Sequence, residues 1–380
     1  MIRAITLGAL IVSSVALAQN CPSRGSWPTT DWPSKVDQTA AAAKAEIAAL
    51  EEYMFTLEGK DEERKGIRTD GLLIVKGGAI VYEKYARGWK DDKRHILWSC
   101  TKTLSGMMAG IAVQKGLVDT SQSICTYNKA VPEKNCAITV ENLLQMASGL
   151  DWAEEYENKA NQESSVLALF YGEGQADGAK FVASHDRAAD PGTKFNYSTG
   201  ESMLLVSTVQ EAVKDKLDPQ QFPWTEMFDK VGMKSVRWER DGKNHFYGGS
   251  HSYMTLRDMA RFGYFMLNDG CWNGERILPE GWMANSTTPN PVWKSNRGDE
   301  TWEYGRQIWL NRPLPEISYE KPWKDLPDDT YGAVGHWGQY IYVVPSLDLV
   351  VVRMGDDRDA SALDENEMIK RAIAVAGVAP

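Results

Sequence analysis

Two pairs of β-rich runs stand at opposite ends of this 380-residue sequence, and that separation constrains the fold more than any other feature. LLIVK and AIVYEKY lie within Gly71–Gly88 and are joined by Gly77-Gly78, a dipeptide suited to a tight hairpin turn. Near the other end, YIYVVPSLDLVVVRMG places two more β runs around Pro345-Ser346-Leu347-Asp348. Between them, residues 116–245 carry several helical patterns, such as Val140–Ala147 and Glu201–Lys214, and few strand signals. Ile47, Leu50, Met54 and Leu57 at helical spacing predict a helix from Asp37 to about Gly59, and a second helix is expected from Leu363 to Val378. The two ends must meet to form one sheet. The order predicts an α/β (α+β composite) fold, with an antiparallel sheet flanked by helices built from 37–115 and 246–380. A mostly helical domain, 116–245, is inserted into it.

The N-terminus reads MIRAITLGALIVSSVALA. One cation, Arg3, precedes an apolar run that ends in Ala16-Leu17-Ala18, the pattern of a secretory signal cleaved after Ala18. Residues 1–18 are therefore expected to be removed and the mature protein to be periplasmic or secreted, with 19–36 as an extended, Pro- and Trp-bearing lead-in. No other apolar run reaches about 18 residues, so no membrane association is expected once the signal is gone. Export permits disulfides. Of the five cysteines, Cys125 and Cys136 bracket a polar loop and are expected to pair; Cys21 with Cys271 is a weaker second pairing, and Cys100 is expected free. A hydrophobic fraction of 43% excludes disorder as a description of the chain, and a net charge of −10 argues against nucleic acid as a partner.

The chemistry centres on Ser99-Cys100-Thr101-Lys102. A Ser-x-x-Lys alone is weak: Ser318-Tyr319-Glu320-Lys321 repeats it in a Pro-rich loop, where it predicts nothing. After Ser99, however, come Leu104, Met107, Met108, Ile111 and Val113 among Gly and Ala, the pattern of a buried helix with Ser99 in its first turn. Positions i and i+3 share a helix face, so Lys102 reaches back over Ser99. Burial makes a lysine amine a base, and the helix N-terminus offers free N–H groups to a developing negative charge. The bland alternative, a serine cap followed by a surface lysine, fits these residues equally well.

Three ordered motifs resemble the serine β-lactamase and penicillin-binding-protein superfamily, in its class C-like esterase and amidase branch. Ser99-Cys100-Thr101-Lys102 matches the first, Asp190-Pro191-Gly192-Thr193-Lys194-Phe195-Asn196-Tyr197-Ser198-Thr199 the second, and Gly335-His336-Trp337-Gly338-Gln339 the third. Softer matches at Leu143–Leu150, Gly248-Gly249-Ser250, Asp258–Gly263 and Tyr304-Gly305 fill the gaps. The resemblance implies a β-lactamase/transpeptidase-like fold with the site between its two domains. Ser99 would form an acyl-enzyme, Lys102 and Tyr197 would share proton transfer, and the backbone N–H groups of Ser99 and Gln339 would form the oxyanion hole. It leaves open which of Lys102 and Tyr197 is the acylation base. Thr199 stands where β-lactamases carry Asn, and His336-Trp337-Gly338 replaces Lys-Thr-Gly, changes that point away from penicillins. The texture around Gly338–Pro345 is most similar to the 6-aminohexanoate-oligomer hydrolase and carboxylesterase branch.

His336, Trp337, Gly338, Thr199 and Trp152 are the expected substrate-binding residues; Tyr156 is a further candidate better read as packing. His95, His185, His245 and His251 fall at no metal-ligand spacing, so neither metal nor cofactor is implied. No Gly-x-Ser-x-Gly elbow and no phosphate loop occur. The leading expectation is an exported serine hydrolase acting on small esters or linear amides. A cell-wall DD-peptidase, D-amino-acid amidase or weak β-lactamase is the second, and a catalytically silent binding protein on the same fold the third.

Overall fold

The computed structural model describes residues 21–34, 41–157, 160 and 163–377. The expected leader over 1–18, parts of the lead-in and the start of the first expected helix lie outside the described residues. The centre of the fold is a six-stranded antiparallel sheet of β1 (Thr69–Lys76), β2 (Ala79–Tyr85), β3 (Trp309–Leu310), β4 (Tyr331–Gly335), β5 (Gln339–Val344) and β6 (Leu349–Gly355). Its spatial order is β2-β1-β6-β5-β4-β3, so the first hairpin of the chain pairs directly with its last strand, Leu73 opposite Val352. The two ends meet as the sequence requires.

Side chains alternate along each strand, and here both faces are covered. Leu73, Val75, Ile341, Val343, Val350 and Val352 pack on one side with helices α2 (Cys100–Gln114) and α4 (Leu256–Leu267). Leu72, Ile74, Tyr342, Val344 and Val351 pack on the other with α1 (Ala41–Phe55) and α5 (Glu365–Val375). This double burial explains why the strands read as almost unbroken apolar runs rather than alternating ones. Residues 116–245 hold short helices and α3 (Thr199–Val213), a largely buried helix against α2, together with a two-residue strand at Arg237–Trp238. Ser198 caps α3, its hydroxyl accepting from the Glu201 N–H at 3.1 Å.

Both expected disulfides are present, Cys125–Cys136 and Cys21–Cys271, and Cys100 is free and buried. The second bridge ties the lead-in to α4 and the hairpin after it. Arg261 donates to the carbonyls of Pro28 and Thr30 at 2.7 and 3.0 Å, and the Trp27 ring packs 5.2 Å from that of Trp272. Cross-linking residues so far apart in sequence restricts the unfolded chain strongly. Replacing Cys21 and Cys271 together by Ser is expected to cost about 2–4 kcal/mol of stability, read from urea midpoints.

Candidate active site

The chain enters α2 through a tight turn. The Cys100 N–H donates to Leu97 O at 3.1 Å, and Trp98 is held at φ +46°, a region a bulky residue adopts only when its surroundings impose it. Ser99 follows at the N-cap position, half-exposed, and its own N–H has no hydrogen-bond partner among the described residues. One helical turn later Lys102 is 1% exposed. Its Nζ donates to Ser99 Oγ at 3.0 Å, to Thr199 Oγ1 at 2.8 Å and to Gly249 O at 3.2 Å, which uses its three hydrogen-bonding positions. The surface-lysine alternative is thereby removed. Gly249 has no substitute here: a Cβ on it would meet Thr199 Cγ2 at 2.7 Å, so the segment reaches the ammonium only without a side chain.

Tyr197 stands over the same ammonium, Lys102 Nζ lying 4.6 Å from its ring centroid, and lines the cleft together with Ser99. Burial pushes the Lys102 ammonium down to about 8, opposed by the Glu154 carboxylate 3.6 Å away. Burial pushes the Tyr197 phenol well above its ordinary value, opposed by the Ser99 side chain. Near neutral pH the phenol is a proton donor, while the amine loses its proton within reach of physiological pH.

Glu154 is the residue sequence reasoning missed. Its Oε1 accepts from Thr199 Oγ1 at 2.5 Å and Tyr156 OH at 2.9 Å, and its Oε2 from Thr199 N at 2.9 Å and Trp152 Nε1 at 2.6 Å. No periodicity marks it; the one signal is an acid placed between two aromatics, Trp152 and Tyr156, just after the matched Ser148-Gly149-Leu150. The structure also exchanges the roles expected for those aromatics. Trp152 is buried against Phe181 and His185 and serves as a donor to Glu154, not as cleft lining, because its indole is enclosed by the helical segment. Tyr156 lines the cleft, its ring stacked 5.3 Å from His336. Thr199 is likewise fully buried and holds Lys102 rather than facing the opening.

The cleft above Ser99 is a cavity of about 550 Å³. Tyr197, Trp302, Trp309, Trp337 and Tyr340 line it with Tyr156, so its walls are chiefly aromatic. His336, Trp337 and Gly338 form the turn between β4 and β5. The hairpin closes at once because Gly335 pairs directly with Gln339. Gly335, His336, Trp337 and Gly338 face the cavity; Gln339 is fully buried at the base of the turn. Burial lowers the His336 imidazole below its ordinary value, opposed by Glu157, whose Oε1 lies 3.1 Å from Nε2. Away from the cleft, Asp177, Asp241 and His245 bring ligand-type atoms within 4.8 Å of one another. There Asp241 already accepts from the N–H groups of Gly178, Lys243 and His245, which makes it a brace for a turn.

The β-lactamase family matches residues 45–373. A 6-aminohexanoate-dimer hydrolase of Paenarthrobacter ureafaciens is 24% identical over 341 residues, 86% of this chain and 82% of that protein. Among solved structures, a family VIII carboxylesterase superposes with a TM-score of 0.66 at 15% identity, covering 89% of this chain and 97% of that one. A β-lactamase/D-alanine carboxypeptidase of Pseudomonas syringae gives 0.58 at 13%, over 89% and 98%. At these identities the structures speak for the fold alone. The family match, which spans nearly the whole described chain and all three motifs around Ser99, identifies this protein as a member of the β-lactamase family.

Proposed function

We propose that this protein is an exported serine hydrolase that cleaves small esters or linear amides through an acyl-enzyme on Ser99. The observation that carries the reading is the Lys102 amine, buried and 3.0 Å from Ser99 Oγ at the floor of an open aromatic cleft. A neutral amine at that distance takes the Ser99 proton as Oγ adds to the substrate carbonyl. Lys102 is the acylation base in this scheme, because its proton is held weakly while that of Tyr197 is held tightly. The protonated Tyr197 phenol then delivers a proton to the departing alkoxide or amine and is replenished from Lys102. The oxyanion is received by the Ser99 N–H and the backbone of the turn that ends at Gln339. Water admitted to the open cleft releases the acid.

The substrate class follows from the walls. The ionisable groups that line the cleft are already engaged: Glu154 with Lys102, Glu157 with His336, Arg358 with Asp356, Asp357 with Arg353, and Glu365 with Trp323 and Tyr342. A substrate carboxylate would meet no unpaired cation at His336, in contrast to the lysine that β-lactamases place there, and the six aromatic rings favour apolar flanks on the scissile bond. The Paenarthrobacter ureafaciens relative is named for hydrolysis of a 6-aminohexanoate dimer, whose two units are joined by a linear amide, which supports the bond type though its charged ends differ from the neutral flanks proposed here.

Two measurements test this. A fluorophosphonate probe is expected to add one mass label to the wild type and none to Ser99→Ala; equal hydrolysis of a nitrophenyl ester by both would refute the assignment. The ester kcat/KM should rise with pH and level off above about 8, as Lys102 loses its proton. Because the Glu154 carboxylate raises that value, Glu154→Gln should move the inflection to lower pH. An inflection that stays in place or moves upward would show that another group is the base.

A further inference from the structure

The turn between β4 and β5 has each of its carbonyls tied away from the cleft. Gly335 O accepts from the Gly338 N–H at 3.2 Å. His336 O and Trp337 O each accept from Gln339 Nε2 at 3.3 Å, and Trp337 O also accepts from the Asp357 N–H at 3.1 Å. Gly338 O accepts from Arg353 Nη1 at 2.9 Å. In a trans peptide the N–H points opposite to the carbonyl bonded to it. These bonds therefore turn the N–H groups of His336 and Trp337 to the outer side, where both residues line the cavity with Ser99. Neither N–H has a hydrogen-bond partner among the described residues.

The anchors are themselves held rigidly. Arg353 is fully buried in β6; Nη1 and Nη2 bond the two oxygens of Asp357 at 2.7 and 2.8 Å, and Nε bonds Thr69 Oγ1 at 3.0 Å. Asp357 Oδ1 also takes the Arg68 N–H at 2.6 Å. The Gln339 carboxamide donates to Gly355 O at 2.6 Å and accepts from Gly355 N at 3.2 Å, which locks its orientation. Gly338 has φ +85°, and a Cβ there would sit 2.0 Å from Arg353 Nη1, so glycine alone lets the guanidinium reach the turn. Outside, the Arg358 guanidinium lies over the Trp337 ring, 3.4 Å from its centroid. A buried ion pair is a weak source of stability, since desolvation offsets its attraction. What this one supplies is geometry: a bidentate fork that fixes a carbonyl.

We propose that Arg353, with Asp357 and the Gln339 carboxamide, is the positioning device of the oxyanion site. It holds the 336–338 turn so that the free N–H groups of His336 and Trp337 join that of Ser99 around the carbonyl oxygen of a bound ester or amide. The Gln339 side chain acts in this hold, and Arg353 governs the rate without touching substrate. The inference rests on the proposed Ser99 chemistry.

The test compares wild type with Arg353→Lys and Gly338→Ala on a neutral nitrophenyl ester, with thermal midpoints measured alongside. Both variants are expected to lose about 100-fold in kcat with KM changed less than about threefold, the pattern of a displaced oxyanion donor. A folded variant that keeps kcat within about twofold overturns the proposal. A crystal structure of the wild-type phosphonyl adduct decides it even if both variants fail to fold. The phosphoryl oxygen should accept from Ser99 N and from His336 N or Trp337 N; acceptance from other donors overturns the positioning role while leaving Ser99 as nucleophile. A wild type that neither turns over ester nor takes the probe refutes the Ser99 reading, and this inference with it.

Discussion

A lysine amine held inside the protein, against the cost of taking a charge out of water, is the constraint around which the rest is arranged. Lys102 sits one helical turn after Ser99 in α2, and its hydrogen bonds all go to oxygens, of Ser99, Thr199 and the Gly249 carbonyl, with the Glu154 carboxylate further off. Those four come from four separate stretches of chain. Thr199 is delivered by the capped start of α3, Gly249 by a glycine pair too close to α3 to carry side chains, and Glu154 by an irregular segment that Trp152 pins. The meeting of the helical segment with the sheet is, in effect, the assembly of one solvation shell. Its balance is fine: burial pushes Lys102 towards the neutral amine, and Glu154 returns part of what burial removes.

The sheet's contribution is of a different kind. Beyond the aromatic side chains of Trp309 and Tyr340 on the cleft wall, it presents a backbone turn at the end of β4, and the fixity of that turn comes from β6. Strands β5 and β6 are covalent neighbours in a hairpin, with Tyr340 opposite Arg353, so the anchors reach the turn across a single strand spacing. A turn on a hairpin tip is ordinarily the most mobile part of a sheet. Here its carbonyls are bonded to buried groups, and a loop has become part of the core's rigidity.

The architecture was legible because hydrophobic runs and helical spacing are local properties that burial amplifies. The terminal hairpins, α2, α3 and α5 all follow from them, as does the Ser99–Lys102 spacing, which the helix converts directly into contact. Lys102, Tyr197 and Ser99 converge as the motif order implied. What the sequence did not disclose are the groups that act through another residue. Glu154 lies in a segment without periodicity, and its importance arises only when α3 and α2 converge on it. Arg353 reads as one more residue of a β run, VVVRMG, and only the tertiary pairing puts its guanidinium under Gly338. The same blindness misassigned Trp152 and Tyr156: sequence places two aromatics near the site, but which one turns outward is set by the packing of Phe181 and His185 around the first.

The cleft's electrostatics connect these layers to the chemistry. Several ionisable groups on its wall are paired with a partner that also has a structural duty. Asp357 holds Arg353 and so the turn, and Glu154 holds Thr199 and so Lys102. Under the proposed mechanism, binding a charged substrate group by recruiting one of these residues would loosen either Lys102 or the 336–338 turn. A neutral ester or amide makes no such demand, since its recognition falls to aromatic surface and to the backbone N–H groups that the same charges keep in place. Under the proposed function, preference for an uncharged acyl group would follow from how the site is held together, and would not depend on any one residue added for selectivity.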